Sequence, residues 1–241
     1  MSTPLFSVPI APCGPQHPGG TITCTEPRPA VYLLTWISPP DNRLTVAFCR
    51  ALLQALDIVE FGGYKPGVVV TTSGIPKFYS NGLDLELAIN TEGFWQLFYD
   101  VWVRFLTYPM PTVALLNGHT FAGGLMLAQT HDYRLAPSPK GFLCLNEAVE
   151  HGLADATASS LDDALAFVAD RQLVEKPAAG VYGVIKTELH KDLLAELRKE
   201  GVDAQELRFQ EDQRRESERR EFGKVWFQQY TQEEKKDKAK L

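Results

Sequence analysis

The sequence predicts an α/β fold with a parallel sheet followed by C-terminal helices. Residues 67–72 contain three consecutive valines, which is typical of a strand buried on both faces. Residues 30–37 form another β-rich run, and apolar residues recur at helical spacing over residues 45–61 between the two runs. The order strand, helix, strand indicates a βαβ unit, the building block of a parallel sheet covered by helices.

The remaining elements continue this alternation. Residues 21–25 and 30–37 are expected to form a hairpin, because the prolines between them cannot donate ladder hydrogen bonds. The helix over residues 45–61 is expected to stop at Gly62 and Gly63. The further predicted helices cover residues 93–106, 123–131, 161–170 and 178–198, and the further predicted strands cover residues 112–116, 133–135 and 142–145.

These elements suggest a simple division of the chain. Residues 1–20 are rich in Pro and Gly without an apolar stretch, so they are predicted to be a flexible arm. Residues 21–155 are predicted to form the core, and residues 156–241 a helical region with a strongly charged stretch and a basic tail.

Composition narrows the classes of function. The chain has 241 residues, of which 44% are hydrophobic and 22% charged, as expected for one globular domain. A net charge of -6 argues against nucleic-acid binding, and no apolar run approaches the roughly 20 residues that span a membrane. The four cysteines contain no C-x-x-C pair, so we expect reduced thiols in an intracellular compartment, with neither zinc nor disulfides.

The C-terminus resembles a targeting signal. Ala239, Lys240 and Leu241 match the small-basic-leucine pattern of the peroxisomal import tripeptide. The sequence therefore predicts a peroxisomal protein with the import receptor as a partner.

A glycine loop follows the valine strand. It contains Ser80, Asn81, Gly82, Leu83 and Asp84, and a helix is expected to begin near residue 85. Glycine permits a turn that exposes successive backbone amides. Alternatively, this is an ordinary strand-to-helix turn in which Asp84 caps the helix.

A second glycine segment follows the strand over residues 112–116. The strand ends at Asn117 and Gly118, and the next helix begins with Gly123 and Gly124. Free amides and the positive end of the helix dipole then face open space, which predicts an anion site. Alternatively, small residues at this point only allow close packing of the helix.

Residues 80–85, 117–124 and 141–147 together resemble the enoyl-CoA hydratase/isomerase family, the crotonase superfamily, and most resemble its fungal and plant peroxisomal delta(3)-delta(2)-enoyl-CoA isomerases. The resemblance implies a crotonase-type spiral of ββα units and an acyl-CoA thioester substrate. It also implies an oxyanion hole for the thioester oxygen formed by the backbone amides of Leu83 and Gly123, with neighbouring substrate-binding residues Ser80, Asn81, Gly82, Asp84 and Gly124. It further implies no cofactor beyond the CoA of the substrate, no metal, and assembly into trimers or hexamers.

Two positions indicate which reaction of the family is expected. Hydratases of the family carry one glutamate three residues after the oxyanion glycine, and here that position is Met126, which cannot activate water. Their second glutamate corresponds to Glu147, and one carboxylate suffices to move a proton from C2 to C4. The resemblance therefore favours an isomerase over a hydratase. His119, His131 and His151 are predicted to be packed structural residues.

The resemblance breaks at Glu147. In the family a further stretch of helices separates the catalytic strand from a Glu-Ala-x-x-x-Gly-Leu-x-Asp motif, whereas here that motif begins at Glu147 and ends at Asp155. Glu147 therefore corresponds either to the catalytic base or to the later motif. The shortened chain also leaves open a catalytically inactive acyl-CoA-binding or assembly subunit as the alternative function.

Overall fold

The computed structural model describes residues 3–137, 152–198, 214–215 and 217–222. The chain divides into two compact units, Met1–Leu197 and Arg198–Leu241. Within the second unit, residues 217–222 are helical and exposed, as predicted for the charged stretch. Across the described residues, the helices are all too short or too polar to cross a membrane.

Among the described residues up to Arg198 there are nine strands and a set of mostly short helices. The strands are β1 Pro4–Ile10, β2 Gly20–Arg28, β3 Val31–Ile37, β4 Val68–Ser73, β5 Phe78–Ser80, β6 Thr112–Leu115, β7 His119–Thr120, β8 Tyr133–Ala136 and β9 Ala156–Thr157. The helices are α1 Val46–Phe61, α2 Leu85–Asn90, α3 Phe94–Leu106, α4 Gly123–Gln129, α5 Leu161–Asp170, a 3-10 helix Lys176–Ala179, α6 Tyr182–Leu189 and α7 Lys191–Arg198.

In the described part of the chain the main sheet has seven strands in the order β1-β2-β3-β4-β6-β8-β9. The pairs β1-β2 and β2-β3 are antiparallel, and every later pair is parallel. Strands β5 and β7 form a separate parallel pair. The predicted α/β fold with a parallel sheet is therefore confirmed.

The N-terminal segment differs from the prediction of a flexible arm. Strand β1 pairs with β2 from Pro4 opposite Thr25 to Ile10 opposite Gly20. Val8 and Ile10 are buried in the core, which stabilises the strand. Proline is tolerated here because β1 is an edge strand and proline need not donate on its open side. The prediction is therefore wrong for Pro4–Ile10.

The helices cover both faces of the main sheet. On one face, α1 and α3 contribute Phe48, Leu52, Phe98 and Phe105 to a large apolar core. The other face is covered by α5, whose side chains pack with strand residues in a second apolar cluster that includes Val31, Val70, Val113, Leu135, Ala164 and Val168. The boundary predicted after residue 155 therefore falls inside one packed structure. Strand β9, from the predicted helical region, pairs with β8 of the predicted core.

Several helix boundaries follow from local chemistry. The predicted helix over residues 45–61 is confirmed as α1, where the Thr45 side chain accepts a hydrogen bond from the Phe48 amide at 3.2 Å. Helix α5 matches its predicted residues and begins with a capping box of Ser160 and Asp163. The helix predicted over residues 178–198 is interrupted, because Gly180 adopts a left-handed φ of 69° before α6 begins.

Lys186 fastens α6 to the core. Its ammonium donates to the carbonyl oxygen of Phe105 at 2.7 Å and pairs with Asp132 at 3.0 Å. Asp132 also accepts from the amide of Thr112 at 2.8 Å. Burial lowers the pKa of Lys186, and Asp132 opposes that shift. The pair therefore links α6 to the end of α3 and the start of β6.

Replacing Lys186 with Met should lower the free energy of unfolding by about 3 kcal/mol, because it leaves Asp132 partly unpaired in a buried site. Lys191→Met is the matched control, since Lys191 pairs with Glu188 on the exposed surface and should change stability by less than about 1 kcal/mol. Urea unfolding of both variants measures the difference. Equal losses would contradict the structural role of Lys186.

Candidate functional site

The two-stranded sheet brings the predicted glycine segments together. Strands β5 and β7 pair in parallel, with Phe78 opposite His119 and Ser80 opposite Thr120. The segments that follow parallel strands leave the sheet at the same edge, so the loop after Ser80 and the turn after Thr120 are neighbours. The amide of Phe121 donates to the carbonyl oxygen of Ser80 at 3.0 Å and holds the two segments in contact.

Gly82 is the point of closest approach between these segments. Its φ is 80°, in the left-handed region that favours glycine. A Cβ atom at this position would lie 2.9 Å from the carbonyl oxygen of Phe121 and 3.2 Å from the nitrogen of Gly123. Gly124 is equally restricted, because a Cβ there would lie 2.8 Å from the Ser80 Cβ. Both glycines therefore serve the approach of one backbone to another.

Two peptide groups beside this contact are held in place by hydrogen bonds to their carbonyl oxygens. The Gly82 oxygen accepts from the Leu44 amide at 2.9 Å, and the Ala122 oxygen accepts from the Met126 amide at 3.0 Å. In a trans peptide the N–H points opposite to the C=O, so these bonds also set the directions of the Leu83 and Gly123 N–H groups. Among the described residues neither of those N–H groups has an acceptor.

The two free amides lie in a partly enclosed place. Gly123 is buried and Leu83 half-buried. A Cβ on Gly123 would lie 3.0 Å from the Leu83 Cγ and 3.4 Å from the Phe98 Cζ, so apolar side chains border the amides. Ala122 has a φ of 43° and a ψ of -118°, a strained conformation for an L residue at the start of α4. Two unpaired donors in such surroundings suit an oxygen that gains negative charge.

The polar side chains of the first loop hold the loop itself. Ser80 is fully buried, and its hydroxyl donates to the Asn42 oxygen at 2.8 Å and accepts from the Gly82 amide at 3.1 Å. The Asn81 side chain donates to Asp41. These contacts occupy both side chains, and the roles predicted for Ser80, Asn81, Gly82, Asp84 and Gly124 in substrate binding stay predictions.

Asp84 caps α2 and pairs with a residue that the sequence did not single out. Its side chain accepts from the Leu87 amide at 3.1 Å, so the predicted alternative of a helix cap is confirmed. It also lies 2.7 Å from the Nε2 of the largely buried His17. The hydrogen bond from His17, followed by the cap bond, lowers the pKa of Asp84. A cleft of about 250 Å³ opens here, lined by Gln16, His17, Pro40, Asp41, Arg43, Asp84 and Leu85.

His131 anchors α4 to the strands beneath it. Its Nδ1 is 3.0 Å from the Leu127 carbonyl oxygen, which can only accept, so Nδ1 carries the proton. Its Nε2 then accepts from the Thr71 hydroxyl at 2.9 Å, and Thr71 accepts from the Tyr79 hydroxyl at 2.9 Å. Burial lowers the pKa of His131 to about 3. The prediction of a packed structural histidine is confirmed for His131.

Several predicted residues lie outside the described part of the chain. These are Glu147, His151, the strand over residues 142–145, and Ala239, Lys240 and Leu241. Met126 is described, and its side chain is 53% exposed on α4, three residues after Gly123. The residue that the resemblance aligns with the hydratase glutamate is therefore an exposed methionine of α4.

Comparison with known proteins identifies the family of the chain. The family model described as enoyl-CoA hydratase/isomerase matches residues 27–158, more than half of the chain. The chain belongs to the enoyl-CoA hydratase/isomerase family. Strand β3, both glycine segments, α4 and β8 all lie within the matched residues.

Individual family members are similar over the same region. Enoyl-CoA delta isomerase 3 of Arabidopsis thaliana is 35% identical over 139 residues, which is 54% of this chain and 58% of that protein. The peroxisomal enoyl-CoA delta isomerase 2 of the same plant is 34% identical, with 54% of this chain and 58% of that protein aligned. The chain thus spans little more than half the length of these curated relatives.

The fold agrees with solved structures of the family. The crystal structure of human mitochondrial delta3-delta2-enoyl-CoA isomerase has a TM-score of 0.61 at 19% identity, covering 81% of this chain and 98% of that chain. This similarity confirms the predicted crotonase fold.

The His131 network predicts a pH dependence of stability. Folding lowers the pKa of His131 from its ordinary value of 6.5 to about 3. Between these pH values the unfolded chain therefore binds a proton at His131 that the folded protein does not bind. Stability should therefore fall as the pH drops below 6.5, by about 2 kcal/mol at pH 5.

Urea unfolding at pH 7 and pH 5 measures this dependence, with His131→Gln as the comparison. The variant should be less stable at both pH values, because a shorter amide cannot satisfy both Thr71 and the Leu127 oxygen. It should also lose less stability than the wild type between them. An equal loss in both proteins would show that another group governs the acid response.

Proposed function

We propose that this chain is an enoyl-CoA isomerase of the delta(3)-delta(2) type, acting through an enolate held by the amides of Leu83 and Gly123. The observation that carries the proposal is the pair of N–H groups in adjacent segments, each oriented by its own carbonyl bond and without an acceptor among the described residues. The relatives named above support the reaction, because their names describe enoyl-CoA isomerases.

The chemistry follows from where charge develops. Removal of a proton from C2 of a 3-enoyl-CoA moves an electron pair into the carbonyl and places negative charge on the thioester oxygen. Return of the proton at C4 yields the 2-enoyl-CoA, so the reaction consumes no oxidant and no cofactor beyond the CoA of the substrate. Each well-aimed donor to the developing oxyanion is worth about 3 to 4 kcal/mol of barrier.

The proton carrier that we propose is Glu147, a residue outside the described part of the chain. A hydratase would need a further group to activate water beside the site. Met126 stands at the hydratase glutamate position, and a thioether is neither an acid nor a base at neutral pH. This observation favours the isomerase over the hydratase.

The second candidate function is a catalytically inactive subunit that binds acyl-CoA or takes part in assembly. The observation that favours it is the partial length of the alignment, 58% of the Arabidopsis relatives. Such a subunit would keep the free amides of Leu83 and Gly123 while lacking a working base. It would bind a CoA thioester without turning it over.

We also propose a peroxisomal location and a homo-oligomeric assembly, a trimer or a hexamer. Support for the location is the C-terminal Ala239, Lys240 and Leu241, together with the word peroxisomal in the name of one relative. A fusion of residues 230–241 to the C-terminus of a fluorescent protein tests the proposed targeting signal directly. Import that persists after removal of Leu241 would contradict the proposed import-receptor contact.

Incubation with a 3-enoyl-CoA should give the conjugated 2-enoyl-CoA, whereas incubation with a 2-enoyl-CoA should give no hydrated product. Glu147→Gln should abolish the isomerisation, because the amide cannot take up the proton. Absorbance of the conjugated thioester and mass analysis of the products measure both outcomes. Full activity in Glu147→Gln would make the assignment of the base wrong, and CoA binding without turnover in the wild type would support the inactive subunit.

Gly123→Pro should lower kcat by about 10² to 10³, because proline removes one of the two donors. Gly123→Ala is the matched control, since it keeps the N–H and adds a methyl that meets the flexible Leu83 side chain at 3.0 Å. Its kcat should fall far less. Equal rates for the two variants would exclude the Gly123 amide as an oxyanion donor.

A further inference from the structure

The segment between β3 and α1 is pinned by a buried asparagine. Asn42 has a φ of 55°, a conformation that asparagine tolerates better than most residues, and it is fully buried. Its side-chain oxygen accepts from the Ser38 amide at 2.8 Å, and its side-chain nitrogen donates to the Ser73 hydroxyl at 2.7 Å and the Phe78 oxygen at 3.0 Å. The residues on either side of Asn42 therefore have a fixed position beside the first glycine loop.

Successive residues of this segment each bond to the glycine loop. The backbone amide of Asn81 donates to the backbone carbonyl oxygen of Asp41 at 3.0 Å. The Ser80 hydroxyl donates to the backbone carbonyl oxygen of Asn42 at 2.8 Å. The Leu44 amide donates to the Gly82 oxygen at 2.9 Å. Residues 41, 42 and 44 make these contacts with backbone groups, which most residue types at the same positions would also supply.

Arg43 reaches the backbone of the glycine loop with its charged side chain. Its Nη1 donates to the Leu83 carbonyl oxygen at 2.6 Å, and its Nε donates to Asp41 at 3.1 Å. The Asp41 side chain also accepts from the Asn81 side chain. The guanidinium therefore bonds to both Leu83 and Asp41, and the Arg43 side chain as a whole is 32% exposed. A charge-assisted bond of this kind is stronger than a neutral one.

These bonds lie on both sides of the Leu83 N–H. The Gly82 oxygen, in the same peptide group as that N–H, is bound by Leu44, and the Leu83 oxygen, in the next peptide group, is bound by Arg43. With both neighbouring carbonyl groups fixed, the backbone around Leu83 cannot turn the N–H away from the site. Gly82 gives this loop no side chain to restrict it, so the external bonds supply the rigidity.

We propose that Arg43, supported by Asp41, is a positioning residue for the Leu83 donor. It acts through the Leu83 peptide and does not touch the substrate. The inference rests on the proposed function, because it assigns the rigidity of this loop to the stabilisation of an enolate. A misdirected donor loses much of its effect on the barrier although it still binds the ground state, so kcat should change more than KM.

The test compares Arg43→Met, Arg43→Lys and Arg50→Met with the wild type. Arg43→Met removes the bond and keeps most of the aliphatic stem, and it should lower kcat by about tenfold with KM within about twofold. Arg43→Lys should recover part of the rate through a single charged donor. Arg50, exposed on α1, is the matched control, and Arg50→Met should leave kcat unchanged.

A second set of measurements separates a positioning role of Arg43 from a role in the stability of the whole protein. Bound to the wild type, a 3-ketoacyl-CoA should show the ultraviolet absorbance of its enolate, and Arg43→Met should reduce that absorbance at saturation while the melting temperature changes little. Hydrogen exchange should become faster over residues 80–84 in Arg43→Met and stay unchanged over residues 123–129. These results together would support the proposal.

Other results overturn it in distinguishable ways. A wild type that neither isomerises a 3-enoyl-CoA nor enolises the ketoacyl ligand contradicts the proposed function. An active wild type whose kcat and enolate absorbance are unaffected by Arg43→Met contradicts the role of Arg43 alone. Unchanged hydrogen exchange over residues 80–84 in that variant would overturn the positioning role regardless of activity.

Discussion

The pairing of β5 with β7 is the constraint on which the rest of the site depends. It is a short contact, with Phe78 opposite His119 and Ser80 opposite Thr120. It brings two backbone segments so close that only glycine fits at Gly82 and Gly124. If this contact opened, Leu83 and Gly123 would belong to separate loops, and no amount of local order in either loop would make one donor pair.

Large buried elements hold this short contact in place. The chain of hydrogen bonds from Tyr79 through Thr71 and His131 to the Leu127 oxygen links β5, β4 and α4. Strand β4 is buried along its whole length, so it provides a rigid base for both glycine segments. On the other side of the first loop, Asp41 and Arg43 apply a polar restraint. The proposed function thus depends on one donor in a loop, one donor at a helix start, and rigidity supplied by the core.

The sequence predicted the elements whose signals are local. Helix α1 has apolar residues at helical spacing and a threonine cap, and β4 is a run of valines, so both are readable from pattern alone. Gly82 and Gly123 are identifiable from the sequence because each stands between a predicted strand and a predicted helix, Gly82 in a loop and Gly123 at the helix start. Strand β1 was missed because Pro4 and Pro9 argue against a strand, and only its edge position and the burial of Val8 and Ile10 compensate.

The rest of the site depends on contacts between residues far apart in sequence. Strands of three and two residues leave no periodicity to detect, so the pairing of β5 with β7 had no local signal. His17 meets Asp84 across 67 positions, and Arg43 meets Leu83 across 40. Tertiary structure alone creates such pairs. The same limitation applies to Lys186, which a helical pattern would place as readily on the surface as against Asp132.

In the proposed function the Leu83 and Gly123 amides converge on one oxygen atom. The most direct measurement is a crystal structure of the protein bound to an acyl-CoA thioester, with the two distances from the thioester oxygen to these nitrogens. Both distances should be about 3 Å, the range of a working oxyanion hole. A thioester oxygen bonded to neither amide, or to one of them alone, would contradict it.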